Sequence, residues 1–448
     1  MLTQVQRQSS NKIIYTCIIL LCVWAVPDWG QSGSTDLPSG KQSLPQGFGG
    51  TLEEFITLAI ENNPGLSSSH HYWQASVEKA GYSGVWPGPL FSFDYTATTS
   101  GPQTGDWARR YALKQPLPLF GTLGIDKGIA GRQADLDFFA MQARQAELVY
   151  EVTSAFYDYY YLGREAETVA ENDDLLALWE SSMTAGYKTG QRTYLDLVRL
   201  QIERSKLDND LQGLQDKMAV ASAHLAALVN LSTFDSLPLP AAIAVGDAAI
   251  SFDSIMVLAR LYNPVVRSRQ MAVERDRQGV RKVKRSWWPT LSLEVDYTEG
   301  RPPDMSGMGT KNRDSWMVGV GFEFPILIGQ YHSQKEEAAS MYRSSLSDLA
   351  EENNALIIRL KAVHAGYLDA VRRLRLYRDE VLPKARQVIS VGYASYQGGQ
   401  IDFAELLTAQ HDLLDFQLAY ERAIIDVGLA KAEIDMLIGW PEKTSGKK

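Results

Sequence analysis

Cysteine is nearly absent. The chain of 448 residues holds two, Cys17 and Cys22, both within the first 25 residues. A disulfide framework and a thiolate zinc site are thereby excluded from the rest. Long apolar runs are equally scarce. Beyond the N-terminal region no stretch of about 18 uncharged apolar residues occurs, so no later segment can cross a bilayer as a helix. A basic excess is missing too: 44 Lys and Arg against 53 Asp and Glu leave a net charge of -9. That balance argues against a nucleic-acid partner, which needs clustered Lys and Arg. The motifs Gly-x-x-x-x-Gly-Lys-Ser/Thr, Gly-x-Ser-x-Gly and His-Glu-x-x-His do not occur, so nucleotide, serine-hydrolase and zinc-protease chemistry have no foothold. The six histidines, His70, His71, His224, His332, His364 and His411, lack ligand spacing. His70 and His71 are adjacent, and helical neighbours point about 100° apart, so they do not suit a shared metal. Met305 and Met308 in the long loop could touch a soft metal, but the favoured reading is ordinary loop residues. The expectation is a non-enzyme with no cofactor and no metal.

What is present begins with composition. Hydrophobic residues make 45% and charged residues 22% of the chain, which suits neither disorder nor a polytopic helical membrane protein. Length alone would allow roughly three ordinary domains. The run Ile13 to Val26 is almost purely apolar and follows Arg7 and Lys12. It is short for a membrane span and suits the core of a secretory signal peptide. Val23-Trp24-Ala25 is the best cleavage site, and neither cysteine follows the small residue that a lipoprotein signal wants. The reading is a signal peptide over 1–25 and a flexible segment over 26–50. An exported chain of this kind can enter a bilayer only as strands.

The mature chain repeats itself at an offset of about 200 to 210 residues. Asn63-Pro64 recurs as Asn263-Pro264, Trp86-Pro87 as Trp288-Pro289, and Trp107 as Trp316. Pro118 recurs as Pro325, Gly121 as Gly329, and Tyr157 as Tyr367. Tyr187-x-x-Gly190-Gln191 returns as Tyr396-x-x-Gly399-Gln400. The shared order makes two repeats, 51–238 and 251–440, with a linker over 239–250 and a tail over 441–448. Each reads helix, hairpin of strands, long helix, turn, long helix. Thr51 with Glu54 forms a capping-box pattern, and proline breaks the helix at Asn63-Pro64. No proline occurs from about Ile125 to Gly186, enough for about 90 Å of helix, whereas Pro383 should kink its counterpart. Leu207, Leu211, Leu214, Met218, Ala221, Leu225 and Leu228 form a heptad seam. Leu407, Leu414, Leu418, Ile425, Leu429, Ala432 and Met436 are compatible with a second seam, with His411 and Glu421 as misfits in that helix. Helices this long must pack side by side into a tall bundle or tube.

Between the helices the period becomes two. Leu291, Leu293, Val295 and Tyr297 alternate with Ser292, Glu294 and Asp296, and Trp316 to Phe324 alternates as cleanly. Phe91-Ser92-Phe93-Asp94-Tyr95 is answered more weakly by Trp107 to Gln115, which contains Arg109 and Arg110. Such strands could make a half-buried soluble sheet. Three features favour a bilayer. Trp86, Trp287 and Trp288 precede the outgoing strands, and Trp107 and Trp316 open the returning ones, like two interfacial girdles. The intervening segments are Gly/Pro/polar loops, and the polar strand face suits a watery lumen. Four strands cannot close a useful barrel, and an open edge in lipid leaves backbone groups unpaired. Several chains must then share one barrel.

The duplicated halves, the Asn-Pro and Trp-Pro pattern and the exit segment Gln115 to Gly121 resemble the TolC-type outer-membrane efflux protein family over about residues 51 to 440. Its most specific marks here are Tyr187-x-x-Gly190-x5-Asp196-Leu197-Val198-x2-Gln201 and Tyr396-x-x-Gly399-x5-Glu405-Leu406-Leu407-x2-Gln410. The exit segment is similar to that of heavy-metal efflux members. The resemblance implies an α+β, mostly helical chain, in which duplicated coiled-coil hairpins accompany four membrane strands. It further implies a homotrimer that completes a twelve-stranded barrel and a helical tube. Outer-membrane lipid, a periplasmic membrane-fusion adaptor and an inner-membrane pump of RND or ABC type are the implied partners. In the family, acidic residues line a periplasmic gate at the hairpin tips. The matching positions are Asp196 and Glu405, while a further acidic position falls on Thr408. Ile401 stands where an arginine often occurs, and Arg192 takes the equivalent place in the first copy, so a salt-bridged lock is not expected in its usual form. Three Glu405 carboxylates on one axis would attract cations and oppose closure. That both acids are merely solvated helix charges stays open. Gly190 and Gly399 mark tight turns. A type I protein-secretion duct and a periplasmic coiled-coil adaptor without a pore are the alternative functions.

Overall fold

The computed structural model describes residues 48–97, 107–118, 121–190, 192–231, 237–240, 243, 246, 250–300, 314–324 and 328–439. The expected signal peptide, most of 26–50, Met305 and Met308, parts of the linker and the tail lie outside them. The first repeat runs α1 (Leu52–Asn62), α2 (Pro64–Tyr82), β1 (Leu90–Ala97), β2 (Trp107–Leu117), α3 (Thr122–Lys188) and α4 (Tyr194–Leu228). The second runs α5 (Phe252–Tyr262), α6 (Pro264–Arg285), β3 (Thr290–Gly300), β4 (Ser315–Glu323), α7 (Ile328–Leu376), α8 (Leu382–Gln397) and α9 (Phe403–Ile438). The order of elements matches the expectation. So do the mostly helical composition and the small antiparallel sheet.

The duplicated Asn-Pro pair does more than interrupt a helix. Asn63 caps α2 by accepting from Leu66 N at 3.1 Å, while its amide donates to Leu228 O at 2.9 Å. Asn263 does the same in the second repeat, accepting from Val266 N at 2.9 Å and donating to Leu437 O at 2.8 Å. Each asparagine therefore ties a helix start to the end of its own repeat's return helix. Proline fits at the first helical position, where its missing N–H has no intrahelical partner to lose. At Thr51 the reciprocal capping box forms as expected.

α3 is one helix of 67 residues, roughly 100 Å at 1.5 Å per residue. Its counterpart is interrupted. A π-helical turn, Tyr377–Val381, joins α7 to α8 just before Pro383. That proline removes an amide donor, and the wider turn absorbs the mismatch. The α4 seam packs as its heptads require, with Leu207, Leu214 and Leu225 buried and Leu211, Met218, Ala221 and Leu228 half-buried. The α9 seam is shifted. Phe403, Leu406, Gln410 and Leu413 are buried, whereas Leu407, Leu414 and Leu418 are only half-buried. α9 packs on α3 as well as on α7 and α8, so its apolar surface serves two faces and a single heptad frame misplaces it. Close packing here leaves little slack: a Cβ at Gly428 of α9 would stand 2.7 Å from the ring of Tyr157 in α3.

Candidate functional site

Two parts of the molecule carry the candidate residues: the sheet and the hairpin tips. The sheet is antiparallel in the order β1-β2-β3-β4. Its register aligns Phe93, Tyr111 and Tyr297 on one face, followed by Trp316 on β4. The same face carries Phe91, Leu113, Val295 and Val318, then Leu293 and Val320. Phe91, Phe93, Val318 and Val320 are all exposed, as are Trp316 and Phe322. This is a broad apolar surface with none of the described residues over it, far beyond the scattered apolar residues of an ordinary surface. Among the described residues no helix is long and apolar enough to cross a membrane.

The opposite face is polar. It carries Ser92, Asp94 and Thr96, then Arg110 and Lys114, then Ser292, Glu294, Asp296 and Thr298. Arg110 donates through Nε to Asp296 at 3.0 Å and through Nη2 to Glu294 at 3.2 Å. The two arginines that blur the alternation of β2 therefore serve different faces. Arg110 joins the polar cluster, and Arg109 reaches toward Glu299 at 3.9 Å at the loop end of the sheet. On β4 this face carries Gly319 and Gly321 and also the exposed Met317, opposite Asp296. Of the tryptophans, Trp86 and Trp288 precede β1 and β3 and are exposed, while Trp107 is the first residue of β2 and Trp316 the second of β4.

At the tips, both turns use a left-handed glycine, with φ of 76° at Gly190 and 72° at Gly399. A Cβ would meet nothing at either position, so the glycine answers a backbone demand and not a lack of room. Gly190 N bonds Tyr187 O at 3.0 Å, and Gly399 N bonds Tyr396 O at 3.1 Å. The acidic residues then fall at the third position of the next helix. Thr193 caps α4, accepts from Asp196 N and donates its hydroxyl to the Asp196 carboxylate at 2.7 Å. Asp402 caps α9 and accepts from Glu405 N at 2.9 Å. A carboxylate in a helix's first turn is favoured by the exposed amide dipoles, so the six-residue spacing from glycine to acid follows from turn and cap geometry. Glu405 and Thr408 are exposed, and the Thr408 hydroxyl donates to Ala404 O at 2.9 Å.

The two tips are not equivalent. Tyr187 is exposed, whereas Tyr396 is buried against Phe403. Tyr396 sits in an apolar cluster with Trp179, Met183 and Leu406, and Arg192 covers its ring. The Arg192 guanidinium lies 4.1 Å from the centroid of the Tyr396 ring, and Nη1 donates to Tyr396 O at 3.2 Å. Gly186 makes space for its stem, since a Cβ there would sit 2.6 Å from Arg192 Cγ. Burial pushes the Tyr396 phenol up, and the neighbouring Arg192 charge opposes that shift. A sequence comparison can show that Arg192 is present; it cannot show that it stacks on the other hairpin.

The hairpins share a buried apolar cluster, with Trp179 stacked on Tyr393 and Leu197 near Phe403 and Leu406, and polar contacts join them as well. Asn172 of α3 donates to Gln417 of α9 at 3.2 Å and accepts from Gln410. His411 of α9 lies 2.8 Å from Glu203 of α4, and Arg164 of α3 is 3.1 Å from Glu421 of α9. His411 and Glu421, the apparent misfits in the second seam, thus both face the first hairpin. Gln410 closes the second hairpin signature in the sequence, but Asn172 gave no comparable signal. Among the described residues no group of acidic, histidine or cysteine side chains could hold a metal ion.

A family profile described as outer membrane efflux protein matches residues 55–231 and 255–439, one match to each repeat. No curated protein sequence matches. Among solved structures, a membrane protein from Pseudomonas aeruginosa is similar at a TM-score of 0.74 and 16% identity, covering 87% of this chain and 92% of that one. The outer membrane protein VceC of Vibrio cholerae is similar at 0.73 and 14% identity, covering 87% and 96%. The MtrE outer membrane channel of Neisseria gonorrhoeae, in its open state, is similar at 0.71 and 14% identity, covering 87% and 88%.

Proposed function

The chain belongs to the outer membrane efflux protein family, and from that premise we propose that it is the exit duct of a tripartite exporter, assembled as a homotrimer. Three copies would close a twelve-stranded barrel in the outer membrane and continue it as a helical tube through the periplasm. The observation that carries this reading is the two-sided sheet. Among the described residues its apolar face lies uncovered, and its edge strands, β1 and β4, have no further strand paired to them. In lipid those edges need partners, and neighbouring copies supply them. The polar face, with Arg110 held by Glu294 and Asp296, then lines the bore.

The hairpin tips form the periplasmic gate in this proposal, with Asp196, Glu405 and Thr408 at the entrance. Arg192 stacked on Tyr396 holds the second hairpin against the first. Movement at that seam parts polar pairs and also the apolar cluster that Trp179, Met183 and Leu197 share with Tyr396, Phe403 and Leu406, so burial opposes opening together with Arg192. Passage is passive, governed by bore and lining charge. A periplasmic membrane-fusion adaptor docks the tube, and an inner-membrane pump of RND or ABC type supplies the energy. Small toxic compounds or metal ions are the proposed cargo.

Planar-bilayer recording tests the duct and its entrance together. Purified protein should conduct as discrete channels that multivalent cations block from the helical side. The double substitution Asp196→Ala, Glu405→Ala should weaken that block about tenfold, as loss of carboxylate rings removes the local negative potential. Unchanged block would remove both acids from the gate, and absence of any conductance would remove the duct.

A further inference from the structure

In a chain of net charge -9, α6 is sharply basic, with eight Arg and Lys against Glu274 and Asp276. Its counterpart α2 carries one Lys and one Glu over 19 residues. The excess is a property of one repeat and not of the fold.

Part of this charge is used internally. Arg275 donates to Gln133 of α3 at 2.8 Å, and Lys282 pairs with Asp126 of α3 at 2.7 Å. Arg269 faces Glu352 of α7 at 3.8 Å, and Asp276 accepts from Ser345 of the same helix. These contacts fix the two packed sides of α6. Arg281, Lys284 and Arg285 lie on the remaining side and are all exposed. Among the described residues none of the three has an acidic partner; Arg281 reaches only the amide of its helix neighbour Gln278 at 3.4 Å. Trp287 and Trp288 follow at once, 44% and 53% exposed. Thr290 then begins β3, whose apolar face opens at Leu291. Arg285 stands five residues before that strand, at most about 17 Å of extended chain. The turn between them, closed by Trp288 N to Arg285 O at 3.1 Å, makes the span shorter.

Unpaired basic side chains and exposed indoles, set just ahead of a lipid-facing strand, match the chemistry of a headgroup layer. Long Lys and Arg stems extend along apolar surface while their charges reach phosphate, and tryptophan favours the interface. At the equivalent place the first repeat offers Tyr82, Val85 and Trp86, exposed and uncharged. We propose that Arg281, Lys284 and Arg285, with Trp287 and Trp288, bind the phosphates of anionic phospholipid in the leaflet on the helical side of the barrel. The inference rests on the exit-duct reading. In a trimer it gives three separated basic patches, alternating with three apolar ones.

The test is lipid retention by the full-length protein in detergent, titrated with phosphatidylglycerol or phosphatidylcholine and followed by native mass spectrometry. Wild type should retain phosphatidylglycerol preferentially. The triple variant Arg281→Gln, Lys284→Gln, Arg285→Gln should lose about a hundredfold in apparent affinity, or roughly fivefold per residue. Inorganic phosphate at equal concentration should not displace the lipid; full displacement would mean a free-phosphate site and overturn the proposal. Equal retention of both lipids, or an unchanged triple variant, would also overturn it. So would a variant whose channel ion selectivity changes while its lipid retention does not, because the stripe would then line the lumen. An acidic protein partner is indicated if the variant loses a salt-sensitive complex but no lipid, and this too counts against the proposal. Oligomer migration and conductance, measured on the same preparations, keep the outcomes separate: their loss in wild type is a failure of the duct reading alone.

Discussion

Val318→Arg is expected to deplete the protein from the outer membrane, whereas Gly319→Arg, one residue along, should leave it there. Val318 lies in the middle of β4, is 70% exposed and stands opposite Val295 on the apolar face. An arginine at the bilayer midplane of a barrel costs about 2–4 kcal/mol. Three copies in one barrel would raise that to roughly 6–12 kcal/mol, comparable with the whole stability of an ordinary domain. Gly319 stands opposite Glu294 on the polar face, and a Cβ added there meets no atom within 4 Å. Its arginine can stay in water and approach a carboxylate. Membrane fractionation with heat-dissociable gel migration measures both variants. Equal retention of the two would remove the assignment of faces.

Arg192→Ala is expected to favour the open state of the proposed gate. The substitution removes a guanidinium stacked on a buried ring and a hydrogen bond to a backbone carbonyl of the other hairpin. A partly desolvated cation–π contact is worth about 1–2 kcal/mol, a factor of roughly 5 to 30 in the open-to-closed ratio for each chain. Mean conductance in planar bilayers should therefore rise severalfold, and Arg192→Lys should restore part of the closed population. Tyr396→Phe supplies a second reading. Among the described residues the Tyr396 hydroxyl has no hydrogen-bond partner of good geometry, so its removal should change conductance less than loss of the stacked guanidinium. A large effect of Tyr396→Phe with none of Arg192→Ala would move the lock to another contact.

The sequence made the period-two strands and the turn glycines legible because each rests on a local rule. Alternation of Leu291, Leu293 and Val295 with Ser292 and Glu294 assigns two faces with no knowledge of tertiary structure, and the register agrees. The left-handed turns at Gly190 and Gly399 are likewise local. What depends on a second element was less accessible. The seam of α9 was displaced because that helix packs on α3 as well as on its own hairpin partners. Gln410 takes a buried slot there because its amide meets Asn172, a partner 238 residues away. The acids Asp196 and Glu405 were visible as a motif, yet their place at the third position of a capped helix explains the spacing before any gating role is invoked. Tyr187 and Tyr396 look like duplicates in sequence, but only Tyr396 lies under Arg192. The copies diverged where they contact each other.

The central claim is that each sheet meets lipid on one side and water on the other within a barrel that several chains share. Both native cysteines lie in the first 25 residues, so single cysteines can be placed along Trp316 to Phe322 in a background with Cys17 and Cys22 replaced. Spin labels in reconstituted vesicles then report collisions with oxygen, which concentrates in lipid, and with a nickel chelate, which stays in water. The account predicts that labels at positions 316, 318, 320 and 322 favour oxygen, that those at 317, 319 and 321 favour nickel, and that the pattern persists only in the oligomer. Low accessibility to both probes along the whole strand, in a dispersed single chain, would contradict it.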